Sequence, residues 1–436
     1  MNSTQNTQYP STLSSSLLFF IGGMVSLVAA AVWMAVTPAL MTGYYYRPVT
    51  IAFMHLIILG FVMSVIMGSL YQLLPVLVRA PLRSSLMAAI HPWLHLPGVI
   101  GMVLAFLAWD MRSVAFFGSL VFAGMTLFVL NLFCTLKKAR SPGLVESFIV
   151  LSLVWLFLTL LSGLSMASGV PLPLFPAHGP GVTWAHAHLG FVGVFTNLIV
   201  GVSFRLVPMF ILSAIRSPHR VLAVLILLNL GAAVLFSGLA YSIGSLTTTA
   251  AFLLTLALAV YLWEMGAILR HRTRRIIDPA IKIFLSSLLW LVPVFALGWH
   301  GLMKGWNPPE INAYGFLILF GFVTMGIVGM MYKILPFLVW HHTYSPLIGK
   351  RPLPSLNELF SSAFMKAGMI MMSAGLTLGL ITMLLSLEFL APWSAAFWMG
   401  GSLTFGVNAF LILRHWFPAR PASPITNPTI TKANPS

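Results

Sequence analysis

The sequence predicts an all-α, polytopic membrane protein whose helices form three pseudo-symmetric four-helix arcs, and three observations carry that prediction. Of 436 residues, 59% are hydrophobic and 7% charged, with a mean hydropathy of +0.97; that is far too little polar surface for a water-soluble globule of this size. Twelve apolar runs are long enough to span a bilayer, at about 16–38, 49–78, 86–109, 113–136, 144–168, 184–212, 219–241, 246–269, 280–303, 311–340, 361–387 and 391–415. One stretch also occurs three times, in the second helix of each consecutive foursome, which fixes the architecture before any single residue is interpreted.

The middle copy of that stretch runs from Trp184 through His186, His188 and Gly193, continues past Gly201 and Phe204, and closes at Arg205 and Pro208. Stepping back 133 residues places His188 on His55, Gly193 on Gly60, Gly201 on Gly68 and Pro208 on Pro75. Stepping forward 128 gives Phe316, Gly321, Gly329, Tyr332, Lys333 and Pro336, so the third copy keeps the glycines and the proline and has Phe in place of the histidine. The units run over about 16–137, 144–270 and 280–416 within one transmembrane domain, 16–418. The Ser/Thr/Asn/Gln-rich residues 1–15 and the Pro/Thr/Asn-rich residues 419–436 read as disordered tails.

A formal charge of +16 would suit nucleic acid, but the placement of the charges excludes that reading. With alternating spans, seventeen Lys and Arg residues from Arg79 to Lys432 fall on one side, Arg140 and Arg420 among them, against Arg47, Arg112 and Lys304 on the other. This bias places both termini and the basic loops in the cytoplasm of a bacterial-type inner membrane, with lipid contact accounting for the basicity. Cys134 is the only cysteine, which excludes an intramolecular disulfide, a Cys-rich metal site and haem attachment through Cys-x-x-Cys-His. The leader lacks a basic amino region, so no cleavable signal is expected.

Taken in order, the first helix leads to Tyr44, Tyr45, Tyr46 and Arg47, an aromatic anchor at the outer interface. The second descends from outside and sets His55 about two turns below that surface. Gly60 and Gly68 follow at spacings suited to close helix packing. The third helix carries His91 and His95, an i, i+4 pair sharing one face, placed by depth in the cytoplasmic half and expected to serve interhelical hydrogen bonding or proton movement ahead of metal binding. Glu146 opens the fifth helix beside a basic cluster. The Pro- and Gly-rich connection from Gly169 to Gly181 carries His178 and leads into His186. Gln72, Arg205 and Lys333 occupy equivalent places about a turn from the cytoplasmic face, where long polar side chains snorkel. Helices 7 and 8 hold no buried histidine, Glu264 lies near the cytoplasmic end, and His300 ends helix 9 on the outer side. His341 and His342 end helix 10 as a solvated pair, and Lys366, Glu388 and His415 lie near helix ends.

Ionisable groups inside a membrane are costly and mark function by default. A lone histidine would be a satisfied core residue; here His55 and His188 recur at one depth in two repeats. Two imidazoles facing across a gap suit the fifth and sixth ligands of a low-spin haem. Residues i and i+2 differ by about 200° around a helix, so His186 points away from His188. Either His186 ligates a second cofactor, with His178 or His300, or it hydrogen-bonds in the outer loop.

Twelve helices in three foursomes, histidines in the second helix of a foursome, the His186-x-His188 pair, the Gly190-Phe191-Val192 run and the Leu-Pro endings at Pro75 and Pro336 resemble the haem–copper oxidase subunit I superfamily. The likeness is nearest to the reduced oxidase-subunit-I-like proteins and to the haem- and copper-containing nitric-oxide-response proteins of the NnrS family. It implies haem b as cofactor, one haem with a second as candidate, and copper as a further candidate. It implies His55 and His188 as low-spin ligands and His186 as the ligand of another haem. The His-x-His pair stands on helix 6, however, with Tyr314 and Phe316 at the corresponding places of helix 10, and nothing matches the oxidases' copper histidines.

The functions that follow are haem-based electron transfer or small-gas redox chemistry near the outer face, with a quinol or cytochrome donor and a partner subunit or second copy. The alternative is non-enzymatic haem or copper binding in nitric oxide response or metal homeostasis. A secondary transporter is disfavoured, because transporters of this size show two halves and this chain shows three. Rapid four-electron oxygen reduction by this chain alone is not expected. A copper site takes three imidazoles, and after one haem only His178, His186 and His300 remain on the outer side.

Overall fold

Twelve helices among the described residues are long and apolar enough to cross a membrane, and the chain is an all-α polytopic membrane protein. The computed structural model describes residues 9–138, 143–176, 178–179 and 181–416; residues 1–8 and 417–436, with Arg420 and Lys432, and Arg140 lie outside the described residues. The helices are α1 (Tyr9–Val36), α2 (Pro48–Val78), α3 (Ser85–Leu107), α4 (Met111–Leu136), α5 (Leu144–Ser168), α6 (Val182–Ile211), α7 (Pro218–Ala240), α8 (Gly244–Arg270), α9 (Pro279–Lys304), α10 (Pro308–Thr343), α11 (Ser362–Leu384) and α12 (Glu388–Trp416).

The first helix begins earlier than composition suggested, so residues 9–15 belong to α1 and not to a tail. Its polar opening is held by bonds that composition does not reveal. Ser16 Oγ donates to the Thr12 carbonyl at 3.2 Å, and Gln72 Nε2 of α2 donates to Thr12 O and Ser16 Oγ at 3.3 and 2.9 Å. Gln72 is thus a clamp on α1. Of its counterparts, Lys333 pairs with Asp278, and only Arg205 is exposed as the snorkelling reading expected.

The three repeat-bearing helices are the inner ones: the spans of α2, α6 and α10 are 61%, 67% and 83% buried, against 28–50% for the rest. Their glycines explain the approach. A Cβ at Gly60, Gly193 or Gly321 would come within 2.6, 2.7 and 3.0 Å of Ser26, Trp155 and Trp290 on the preceding helices α1, α5 and α9. Gly68, Gly201 and Gly329 receive the same helices lower down, at Phe20, Phe148 and Phe284. Bare backbone lets each inner helix lie against the first helix of its own unit. Around the outside α1 packs along α12 and α4 along α5, whereas α8 and α9 meet only lightly.

Each inner helix widens at one place. Eight-residue π-helical segments cover Leu56–Met63, Leu189–Thr196 and Leu317–Thr324, beginning one residue after His55, His188 and Phe316. The offsets are again 133 and 128, so the backbone repeats as the sequence does. Wide turns of this kind disturb the i to i−4 ladder and release carbonyls to other donors. Leu59 O takes the Nε2 proton of His95 at 3.1 Å, and Phe191 O takes the Thr196 hydroxyl at 2.7 Å.

A second threefold feature lies at the opposite, basic end. Ser84, Ser217 and Ser361 cap α3, α7 and α11, each accepting a backbone N–H of the first turn. The backbone of each serine is held in turn from the next helix. Ser84 N donates to Asn131 Oδ1 at 2.9 Å, Ser217 N to Glu264 Oε1 at 3.1 Å and Ser361 N to Asn408 Oδ1 at 2.9 Å. Every outer hairpin is latched at its open end, where the chain arrives from the inner helix, by one fully buried polar side chain.

Candidate functional site

The inner helices present two positions per copy, two residues apart: Phe53 and His55 on α2, His186 and His188 on α6, Tyr314 and Phe316 on α10. Because i and i+2 point to opposite sides of a helix, the second position of one unit faces the first position of the next. Three unlike seams result. His55 meets His186 between the first and second units, where the two imidazoles lie within electrostatic range of each other. His188 meets Tyr314 between the second and third, Nε2 to hydroxyl at 3.1 Å. Between the third and first, Phe53 stacks on Phe320 at 6.1 Å and Phe316 lies 5.0 Å from Phe320, a wholly apolar contact.

The expected divergence of His186 from His188 is present: His186 lies against α5 within electrostatic range of His55, and His188 is bonded to Tyr314. His186 lies over Gly163 of α5, where a Cβ would stand 3.0 Å from its Cε1, and its buried Nδ1 has no hydrogen-bond partner. His55 packs against Phe106 of α3 at 4.6 Å between ring centres.

His55 and His188 share one local device. Nδ1 of each bonds the carbonyl four residues earlier, Ile51 O and Trp184 O, both at 2.8 Å. A carbonyl only accepts, so Nδ1 carries the proton and Nε2 is left as a lone pair in both rings. That is the arrangement by which a histidine is oriented as a metal ligand. It follows that Tyr314 donates its hydroxyl proton to His188 Nε2.

Aromatic rings close the site at this end. Trp184 stacks on His188 at 6.2 Å, Trp306 lies 5.9 Å from Trp184 and 5.2 Å from Tyr314, and Tyr45 lies 5.7 Å from Trp184. Burial raises the Tyr45 phenol above its ordinary range, with the Tyr44 contact adding to it. The aromatic anchor read from Tyr44 to Tyr46 thus also lids the second seam. Asn312 ties the start of α10 to the same loop, donating to Met41 O and Gly43 O at 3.1 and 2.7 Å.

The remaining histidines lie elsewhere. His300 is half exposed and pairs with Glu310 at 3.3 Å. His178 is exposed, beside Gly169 in the α5–α6 connection. His178, His186 and His300 do not converge, and no cluster of three His, Cys, Asp or Glu side chains forms among the described residues. His341 and His342 are exposed at the basic end, as expected of a solvated pair.

His91 and His95 make interhelical hydrogen bonds, His91 Nδ1 with the Tyr71 hydroxyl at 2.9 Å and His95 with Leu59 O. His95 meets α2 one turn below His55, because the π turns expose the Leu59 carbonyl there, whereas His91 meets it at Tyr71, sixteen residues beyond His55. The groups that sequence reasoning missed are Tyr314, Trp184, Phe106 and Gly163. Only Tyr314 carried a signal, since it aligns with His186 at the 128-residue offset.

A cavity of about 290 Å³ adjoins the His188–Tyr314 pair and runs between α6, α7, α8, α9 and α10, where the outer packing is lightest. The chain matches no protein-family model, and no characterised protein is significantly similar to it.

Proposed function

We propose that this chain is a haem b-binding integral membrane protein of the haem–copper oxidase subunit I type, serving electron transfer or small-gas redox chemistry. The observation that carries the reading is the meeting of His55 and His186 across the first seam. One ring has its Nδ1 proton fixed on a backbone carbonyl, and the other, beside the Thr159 backbone, keeps a buried Nδ1 without a well-formed hydrogen bond. A shared metal centre would engage a free nitrogen of each ring, so the residues present fit a bis-histidine haem. His55 and His186 would hold it, with Phe106 and the bare backbone of Gly163 on its flanks. His188, whose Nε2 accepts from Tyr314, is a candidate ligand of a second haem at the other seam only where that bond is given up. A bound haem supplies a one-electron couple and, where a coordination position is open, a site for a gas such as nitric oxide. The protein's own part is to fix the rings, exclude water with an apolar lining and keep the pair neutral. His178, His186 and His300 do not fit a shared copper site, because their side chains point to three separate places.

The reading is tested by the absorption spectrum and metal content of the purified protein. A six-coordinate, low-spin haem b spectrum at one or more haems per chain is expected. Protein that purifies folded and takes up no haem on reconstitution would end the proposal.

The membrane is a bacterial-type inner membrane in this reading, with the histidine end outside and a quinol or cytochrome as donor. Seventeen basic residues against three support that orientation. With Cys134 replaced by Ser, a cysteine introduced at Ser436 is expected to resist a membrane-impermeant thiol reagent in intact cells and to react after permeabilisation. Labelling in intact cells would move the site to the cytoplasmic side.

A further inference from the structure

The cavity at the second seam is not needed by a haem held between His55 and His186, and its chemistry is unlike that of the first seam. Its lining holds no Asp, Glu, Lys or Arg, so an ionic ligand would be left unpaired there at a large desolvation cost. Along α6 it reaches from Trp184 to Val200, a height on the order of 20 Å. His188 and Tyr314 sit at one end, and the hydroxyls lower down, on Thr196 and Tyr261, are engaged by Phe191 O and Ser203 Oγ. Below the His188–Tyr314 pair the walls are Val224, Leu228, Leu254, Val294 and Phe295.

The route of access follows from the packing. This seam is the one where outer helices α8 and α9 meet only lightly, and Trp299 Nε1 to Thr255 Oγ1, at 3.0 Å, is a polar bond between them. Alongside the cavity α9 is interrupted at Trp290. Pro293 has no N–H to give the Leu289 carbonyl, so the helix turns there. A molecule dissolved in the bilayer reaches such a slot sideways.

The head group is set by the hydrogen-bond ledger at the polar end. Nδ1 of His188 donates to Trp184 O, so Nε2 accepts and Tyr314 must donate to it. The Tyr314 proton is then spent, and what its oxygen has left to offer a ligand is acceptance. A ligand head must therefore donate. We propose that this cavity binds an uncharged, elongated lipophilic molecule with a hydroxyl-bearing head of the phenol or hydroquinone kind, entering from the bilayer, and that Tyr314, oriented by His188, selects the hydroxyl form over a carbonyl or ether of the same shape. The site would seat the quinol donor of the reading above, on which its role rests, while the binding itself needs no haem to be present.

The probes are 4-nonylphenol and its methyl ether, 4-nonylanisole, which share a shape and differ in the donated proton. Binding is read in lipid nanodiscs by quenching of tryptophan fluorescence, with empty nanodiscs correcting for partition. The native chain is expected to saturate with the phenol at one per chain and to bind it about tenfold more tightly than the ether. Tyr314→Phe leaves His188 Nε2 free to accept from the phenol in its place, so it is the double variant Tyr314→Phe/His188→Ala that should bring the two probes to equal affinity. His188→Ala frees the Tyr314 proton and should raise the affinity for the ether. Leu254→Trp fills the slot and should abolish saturable binding of both. The native chain prepared without haem and the same chain after haem reconstitution should bind the probes alike, so failure of the haem reading is seen separately. Equal binding of phenol and ether by the native chain would overturn the proposal, as would undiminished binding by a folded Leu254→Trp protein.

Discussion

His186→Ala and His55→Ala are each expected to abolish the six-coordinate low-spin haem spectrum, while His188→Ala leaves that spectrum in place. The argument is geometric. Two imidazoles that share one iron must be able to face each other; His186 lies within electrostatic range of His55, whereas His188 is bonded to Tyr314. Loss of either axial ligand removes six-coordination outright, so the change is of kind and not of degree. Folding is checked by elution of a monodisperse protein in detergent, since neither ring supports a backbone element through its Nε2. His55→Ala also loses the bond to Ile51 O, but that carbonyl lies within α2 and has its helical partner at His55 N. If His188→Ala removes the low-spin spectrum and His186→Ala keeps it, the haem bridges His55 and His188, and the side chains must rearrange on binding. A second, high-spin component lost only in His188→Ala would place another haem at the second seam.

That pairing illustrates what the sequence could and could not convey. The twelve helices were legible because apolar runs and the positive-inside bias are properties of the chain taken linearly. The threefold unit was legible because the copies align residue by residue. The opposed directions of His186 and His188 followed from helical geometry alone. The partner of each did not, because a linear repeat gives the order of the units and not the sense in which they close around a centre. Once they close, the second position of one copy meets the first of the next, and Tyr314, read from the alignment as a missing ligand, becomes the group that holds His188. The π segments were hidden for another reason. Hydropathy over two turns does not distinguish a helix of wider pitch from an ordinary one, and only the released carbonyls of Leu59 and Phe191 reveal it.

The third latch was hidden by a change of register. Ser84 to Ser217 and Asn131 to Glu264 are both 133 residues, but Ser217 to Ser361 and Glu264 to Asn408 are 144, not the 128 of the inner helices. The longer connection after α10, from Tyr344 to Phe360, makes the difference. The 133-residue offset that aligns His55 with His188 also aligns the first two latches, and only the third falls out of register. Glu264 read as an isolated acid near a helix end because asparagine, and no acid, stands at the equivalent places Asn131 and Asn408.

Glu264 is accordingly where the largest loss of stability is expected. Its carboxylate is fully buried, accepts Arg216 N at 2.5 Å and Ser217 N at 3.1 Å, and pairs with Arg220 Nε at 2.7 Å, the Arg220 side chain being 22% exposed. Arg220 also lies over Trp263 at 4.7 Å. Glu264→Leu leaves two backbone donors and a guanidinium without their acceptor at the turn between α6 and α7. Breaking a buried pair from one side costs about 3–5 kcal/mol, enough to consume much of the stability of a domain. The other units supply the control. Asn131 and Asn408 hold the equivalent serines with a neutral amide, so Glu264→Asn can restore the Ser217 bond and leave Arg220 to its partial exposure and to Trp263. A loss of about 1 kcal/mol is expected for it. The measurement is thermal or denaturant unfolding in a fixed detergent, read on the ordering native, Glu264→Asn, Glu264→Leu. Equal losses for the two variants would show that the carboxylate charge, and not the latch it shares with the asparagines, is what the turn requires.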